Sequence, residues 1–190
     1  MALSKTASCG GGAGDRMRRV AAGLLAGAAC ALASVMPVTA GPADSSGFAV
    51  LFSDDFSSLN FAAGDWRVQN ANCSVICIAC WEGRCGARMR QNCWIERAIS
   101  TRGFGEIQLT CARRTANMEP GEALHVEWWD GQSWKVLEIT RRTTFGYRTW
   151  TLPSTASNND NFKIRFRVAA NRADEVAEID SVVVSGFAIN

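Results

Sequence analysis

From residue 87 onward apolar and polar residues alternate with a period of two, the pattern of strands that bury one face. Phe162, Ile164, Phe166 and Val168 alternate with Lys163, Arg165 and Arg167, and predict the most regular of these strands. Leu124, Val126 and Trp128 share one parity, with His125, Glu127 and Trp129 opposite. Ile107, Leu109 and Cys111 share another face, and Cys93, Ile95 and Ile99 a third. Residues 48–56 (FAVLFSDDF) predict a first strand, and residues 66–68 a brief second one. Residues 176–184 predict the last strand, with a bulge after Asp180 where the alternation slips. Asp130-Gly131 marks a hairpin, and Pro120-Gly121, Pro153 and the run of residues 158–161 mark breaks. No segment holds a 3.6-residue apolar period. Eight or nine short strands with frequent turns predict an all-β fold, an antiparallel β-sandwich of jelly-roll type.

Two segments lie outside this pattern. Residues 1–40 read as a signal helix: Arg16, Arg18 and Arg19 precede an apolar run, and Val38-Thr39-Ala40 supplies a cleavage site after Ala40. The competing reading is a membrane anchor, but the run is short for a spanning helix, and nothing after it is long enough. Residues 41–47 then form a lead-in, and residues 48–187 a single sandwich domain. The second segment, residues 70–93, is a cysteine-rich loop with no clean period.

Six cysteines (Cys73, Cys77, Cys80, Cys85, Cys93 and Cys111) lie in an exported chain, and their expected chemistry is disulfide formation. The zinc-like spacing Cys77-x2-Cys80 is set aside on the same compartment argument. Strands flanking the turn at Arg102-Gly103 put Cys93 opposite Cys111 if they pair, and across the core from it if they lie in different sheets. Both arrangements permit a Cys93–Cys111 bridge, leaving Cys73, Cys77, Cys80 and Cys85 to pair within the loop.

Composition narrows the function. The chain carries 20 basic and 18 acidic residues. Without four basic and one acidic residue of the leader, 16 basic face 17 acidic, so the charge gives no reason to expect nucleic acid. The chain shows no nucleophile-elbow, zinc-protease or phosphate-loop motif and one histidine, so no enzyme is expected, and a small glycan-active enzyme using Glu127 beside His125 stands as the last alternative. All seven Trp follow the leader. Aromatic faces that stack on sugar rings, oriented by polar groups, make binding the leading expectation. Trp129, His125 and Glu127 have outward parity, and Trp81 and Trp94 lie in or beside the cysteine-rich loop; these five are the candidate ligand contacts. The stripe Lys163, Arg165 and Arg167, beside Arg113 and Arg114, is a separate candidate for uronate or sulfated glycans. Trp128 and Trp134 are expected in the core or packed on a hairpin, with Trp66 and Trp150 covering the sandwich ends.

Several motifs recur in a familiar order: F-S-D-D-F, Trp66, A-I-S-T-x-G-F-x-x-I-x-L from Ala98, G-E-A-L-x-V-E-W-W-D-G-Q-S-W from Gly121, W-T-L-P from Trp150, F-K-I-R-F-R, and A-E-I-D-S-V-V-V. Together they resemble the secreted jelly-roll modules of the galactose-binding-like and MAM-like kind, similar to carbohydrate-binding modules. The resemblance implies a secreted, extracellular or periplasmic, non-catalytic recognition or adhesion module. Its expected partner is an extracellular glycan or a cell-surface protein, with no membrane contact after signal cleavage. It also implies a structural Ca²⁺ where the first and last strands meet, for which Asp54, Asp55 and Asp180 are the matching residues.

Overall fold

In the computed structural model the described residues are 47–77 and 85–189, so the leader, Cys80 and Trp81 lie outside them. Among the described residues eleven strands run in the order β1 (Phe48–Asp54), β2 (Arg67–Val68), β3 (Cys73–Ile76), β4 (Gly86–Arg90), β5 (Trp94–Ala98), β6 (Phe104–Ala116), β7 (Ala123–Trp129), β8 (Trp134–Thr140), β9 (Gly146–Thr151), β10 (Lys163–Ala169) and β11 (Val176–Ala188). Among the described residues no helix is long and apolar enough to cross a membrane.

The strands form two antiparallel sheets. One has the order β3-β4-β11-β6-β9, with β1 also paired to β11. The other has the order β2-β5-β10-β7-β8. Alternation explains the packing. Ile95 of β5, Val126 and Trp128 of β7, and Ile164, Phe166 and Val168 of β10 turn inward from the five-stranded sheet. Ile107, Leu109 and Cys111 of β6 and Ile179, Val182 and Val184 of β11 meet them from the six-stranded sheet. The pairing of β11 with β6 shifts between Asp180 and Val183, where Ser181 takes a positive φ of 51°. This is the bulge that the slipped alternation predicts. At the Asp130-Gly131 turn, Asp130 Oδ1 accepts from the N–H groups of Gln132 (2.8 Å) and Ser133 (2.7 Å). Those donors hold the Asp130 carboxyl at about 2.

Trp66 closes the end of β1. Its ring lies against Phe52, Phe56 and Phe166, and its Nε1 donates to Asp54 Oδ2 at 2.8 Å. Gly64 makes room for this bond, since a Cβ there would fall 2.2 Å from Asp54 Oδ2 and 2.7 Å from the indole.

The cysteine-rich segment is more regular than its sequence predicts. β3 and β4 pair with each other, and β4 pairs with β11, so the segment supplies one edge of a sheet. Cys73 bonds to Cys93 and Cys77 to Cys85. The expected Cys93–Cys111 bridge is corrected: Cys111 is a free, fully buried thiol. The reason is the partner that reaches Cys93 first: Cys93 sits just ahead of β5, where the start of β3 brings Cys73 to it. Cys111 instead points into the core midway along β6, and burial drives its thiol far above the ordinary range. Because the thiolate is the reactive form, Cys111 is expected to resist iodoacetamide in the folded protein and to react after unfolding in urea. Peptide mapping at both stages checks this; alkylation of Cys111 in the folded state would contradict it.

Candidate functional site

The outer face of the five-stranded sheet carries three cross-strand rows set by its register. Trp94, Arg167, His125 and Ile139 make one row across β5, β10, β7 and β8. Arg67, Glu96, Arg165, Glu127 and Val136 make the middle row across all five strands. Ala98, Lys163, Trp129 and Trp134 make the third. Four of the five expected ligand contacts therefore share one face, and the Lys163, Arg165, Arg167 stripe runs between them. The aromatic and basic candidates, separate in the sequence, are one surface. Trp81, the fifth, lies outside the described residues.

The middle row is an ionic layer. Glu127 Oε2 accepts from Arg165 Nε at 2.7 Å and Glu127 Oε1 from Arg167 Nη2 at 3.2 Å. Glu96 Oε1 faces Arg67 Nη1 at 3.4 Å and Lys163 Nζ at 3.5 Å. Although both acids point away from the core, Glu127 is only 4% exposed and Glu96 6%. The arginines and rings cover them. Glu127, an expected ligand contact, sits buried between the two guanidinium groups that it pairs with.

Arg165 and Lys163 are also held by aromatics. The Arg165 guanidinium lies 3.9 Å from the centre of the Trp134 ring, and Lys163 Nζ lies 5.8 Å from that of Trp129. Trp129 and Trp134 meet edge to face at 5.5 Å. Trp134, expected in the core or packed on the hairpin, belongs to this outer cluster. Trp94 and Trp129 stay half-exposed at diagonally opposite corners. They are separated by two strand spacings and four residues along β10, about 16 Å. Four cations (Arg67, Lys163, Arg165, Arg167) against two acids give the face a net +2 with His125 neutral.

His125 is half-buried in this layer, and its Nδ1 is sealed from solvent without a hydrogen-bond partner. Desolvation, then the charge of Arg167, holds its pKa below the ordinary histidine value. The unfolded chain therefore binds the proton more readily, and stability falls as pH drops below the ordinary value of about 6.5. A melting series from pH 7.5 to 5 is expected to show this acid loss in the native protein and less of it in His125→Gln. Identical profiles would contradict the assignment.

Arg113 and Arg114 do not join the stripe. Both lie on β6 of the other sheet. Arg113 is buried and spans the sandwich to Glu138 of β8 with two bonds of 2.8 Å, its guanidinium over Trp150. Arg114 pairs with Glu178 of β11, which Arg88 of β4 also holds.

Of the three acids implied for Ca²⁺, Asp54 spends Oδ1 on the N–H of Phe56 and Oδ2 on Trp66. Asp55 Oδ1 accepts from the N–H of Ser57, and Asp180 Oδ1 from that of Ser181. Asp54 and Asp55 line a cleft with Ser53, Ser181, Val182 and Val183, while Asp180 is fully buried. These carboxylates do not gather into one ligand set. Among the described residues the acidic group that could hold a metal is Glu119, Glu122 and Glu175, which sequence spacing did not reveal because 53 residues separate Glu122 from Glu175.

No family model matches the chain, and no curated protein matches it. Solved structures do. The first xylan-binding family 22 module of Xyn10C from Paenibacillus barcinonensis is 9% identical, with a TM-score of 0.53 over 74% of this chain and 96% of that one. The C-terminal family 22 carbohydrate-binding module of Clostridium thermocellum Xyn10B is 12% identical, with a TM-score of 0.52 over 77% and 97%. The K3 cleaved adhesin domain of Lys-gingipain from Porphyromonas gingivalis is 16% identical, with a TM-score of 0.51 over 73% and 99%. At these identities the likeness establishes the fold alone: a jelly-roll sandwich.

Proposed function

We propose that this protein is a secreted, non-catalytic glycan-binding module whose ligand lies across the outer face of the five-stranded sheet. The observation that carries the reading is the pair of half-exposed indoles, Trp94 and Trp129, with anchored cations between them. A span of about 16 Å suits an oligosaccharide stacked at two points rather than a single sugar. The arginines between the rings are held by Glu127 before any ligand arrives, which lowers the cost of ordering them on binding. The net +2 of the face favours a glycan bearing carboxylate or sulfate groups. The solved structures of like fold include a xylan-binding domain and a second carbohydrate-binding module, and this supports the ligand class without fixing the sugar.

Export through the leader cut after Ala40 fits the Cys73–Cys93 and Cys77–Cys85 bridges, which persist in oxidising compartments. Catalysis forms no part of the reading. Glu127 and Glu96, the acids of the face, are each engaged by two cations. Protein–protein adhesion is the second reading. It is favoured by the exposed Val136 and Ile139 on edge strand β8, which end two of the three rows.

A glycan array followed by calorimetry tests the proposal. Trp129→Ala is expected to weaken the selected glycan at least about 30-fold, the loss of one buried aromatic anchor, with the fold retained by circular dichroism. An array on which neutral, uronate and sulfated glycans all fail would overturn the reading in favour of adhesion.

A further inference from the structure

Three acidic side chains meet where the β6–β7 and β10–β11 connections come together. One carboxylate oxygen each from Glu119, Glu122 and Glu175 lies within 4.8 Å of the other two. Hydrogen bonds knit the two connections around them. Glu122 Oε2 accepts from the N–H of Glu119 at 3.1 Å, and its Oε1 accepts from the backbone N–H (3.0 Å) and side-chain amide (2.7 Å) of Asn171. Glu175 Oε2 accepts from the N–H groups of Asn171 (3.0 Å) and Arg172 (2.6 Å). If these bonds were all, the acids would be loop staples and nothing more.

Glu175 Oε1 is not accounted for in that way. Glu175 is 1% exposed, and this oxygen is sealed from solvent with no hydrogen-bond donor. Its carboxyl group lies directly against that of Glu122. Arg172 turns its guanidinium to Glu119 at 3.5 Å and to Asp174 at 3.2 Å. A buried carboxylate oxygen facing a second carboxylate needs either a shared proton or a cation. Donors already reach both oxygens of Glu122 and Oε2 of Glu175, so Glu175 Oε1 is the buried atom of the group left without one.

We infer that Glu119, Glu122 and Glu175 form a Ca²⁺ site that ties the β6–β7 connection to the β10–β11 connection. The donors are all carboxylate oxygens, the set a hard cation takes, with no His or Cys to recruit zinc. They stand on two loops rather than on a rigid octahedral frame, which suits the variable geometry of Ca²⁺ better than Mg²⁺. The site is distinct from Asp54, Asp55 and Asp180.

Calorimetry and thermal melting of the purified protein, stripped with EDTA and titrated with CaCl₂, test this. The expected result is one Ca²⁺ per chain with a dissociation constant of about 10⁻⁴–10⁻³ M, as in extracellular modules. The melting temperature should rise by roughly 5 °C or more at a hundredfold excess over that constant. EDTA should reverse the rise, and MgCl₂ should give less. Glu175→Gln and Glu119→Gln should each weaken Ca²⁺ at least tenfold, while Asp55→Asn leaves it unchanged. Glu119 is exposed, so its variant keeps the test valid if Glu175→Gln fails to fold. No Ca²⁺-dependent shift in the native protein, or a shift that survives in Glu119→Gln, would overturn the site.

Discussion

Replacing Glu127 by alanine is expected to cost about 3 kcal/mol of folding stability and to abolish glycan binding by the molecules that still fold. The stability loss follows from the pairing. Removing one partner of a buried ion group costs about 3–5 kcal/mol because the remaining charge is left uncompensated. The lower end applies here, because Arg165 and Arg167 keep 17% and 32% of their side-chain surface in water. The binding loss follows from position. Without the carboxylate, the two guanidinium groups repel each other and lose the geometry in which Arg165 lies over Trp134 and Arg167 stands between Trp94 and His125. Glu127→Gln keeps the shape and one acceptor, and should recover part of both losses. Urea unfolding read at the transition midpoint gives the first quantity and calorimetry the second. An alanine variant as stable as the native protein would show that the ionic layer does not hold the face together.

Trp66→Ala is expected to cost more, about 4–5 kcal/mol, and to leave the affinity of the folded fraction unchanged. Large aromatic deletions in a core cost about 3–5 kcal/mol. Here the loss removes contacts with Phe52, Phe56 and Phe166 and also strips Asp54 Oδ2 of its indole donor. The ring is 6% exposed and packs on the inward side of the five-stranded sheet, away from Trp94 and Trp129. Trp66→Phe restores the packing but not the hydrogen bond, and should fall between the two. Denaturant midpoints rank the three proteins; a change in affinity that tracks stability would show that core and face are not separable.

The two variants divide the molecule along the line at which its sequence becomes hard to read. β10 and β7 are legible because their alternation is strict: Ile164, Phe166 and Val168 go in, and Lys163, Arg165 and Arg167 go out. The face that those outward residues make is not legible, because neighbours across a sheet are set by strand order. Arg165 stands between Glu96 and Glu127, 69 residues before it and 38 residues before it respectively. Glu127 therefore reads as an exposed polar residue when it is a buried anchor. Trp134 packs on the hairpin against Trp129 as it reads, but the Arg165 guanidinium over its ring is not legible. The same limit governs Cys111. Parity correctly places it inward, but its bonding depends on which thiol the fold brings to Cys93, and β3 brings Cys73. In residues 70–93 the strands are too short to show a period: β3 spans four residues and β4 five, with the bonded Cys77, Cys85 and Cys93 falling outside both.

The most direct test of the central claim is the footprint of the glycan selected on the array, read by backbone and indole chemical-shift changes during titration. The account predicts that the largest changes fall on Trp94, Trp129, Arg165 and Arg167, on the outer face of β5, β7 and β10. A footprint centred on the outer face of β6 and β11, or on the β6–β7 and β10–β11 connections, would contradict it.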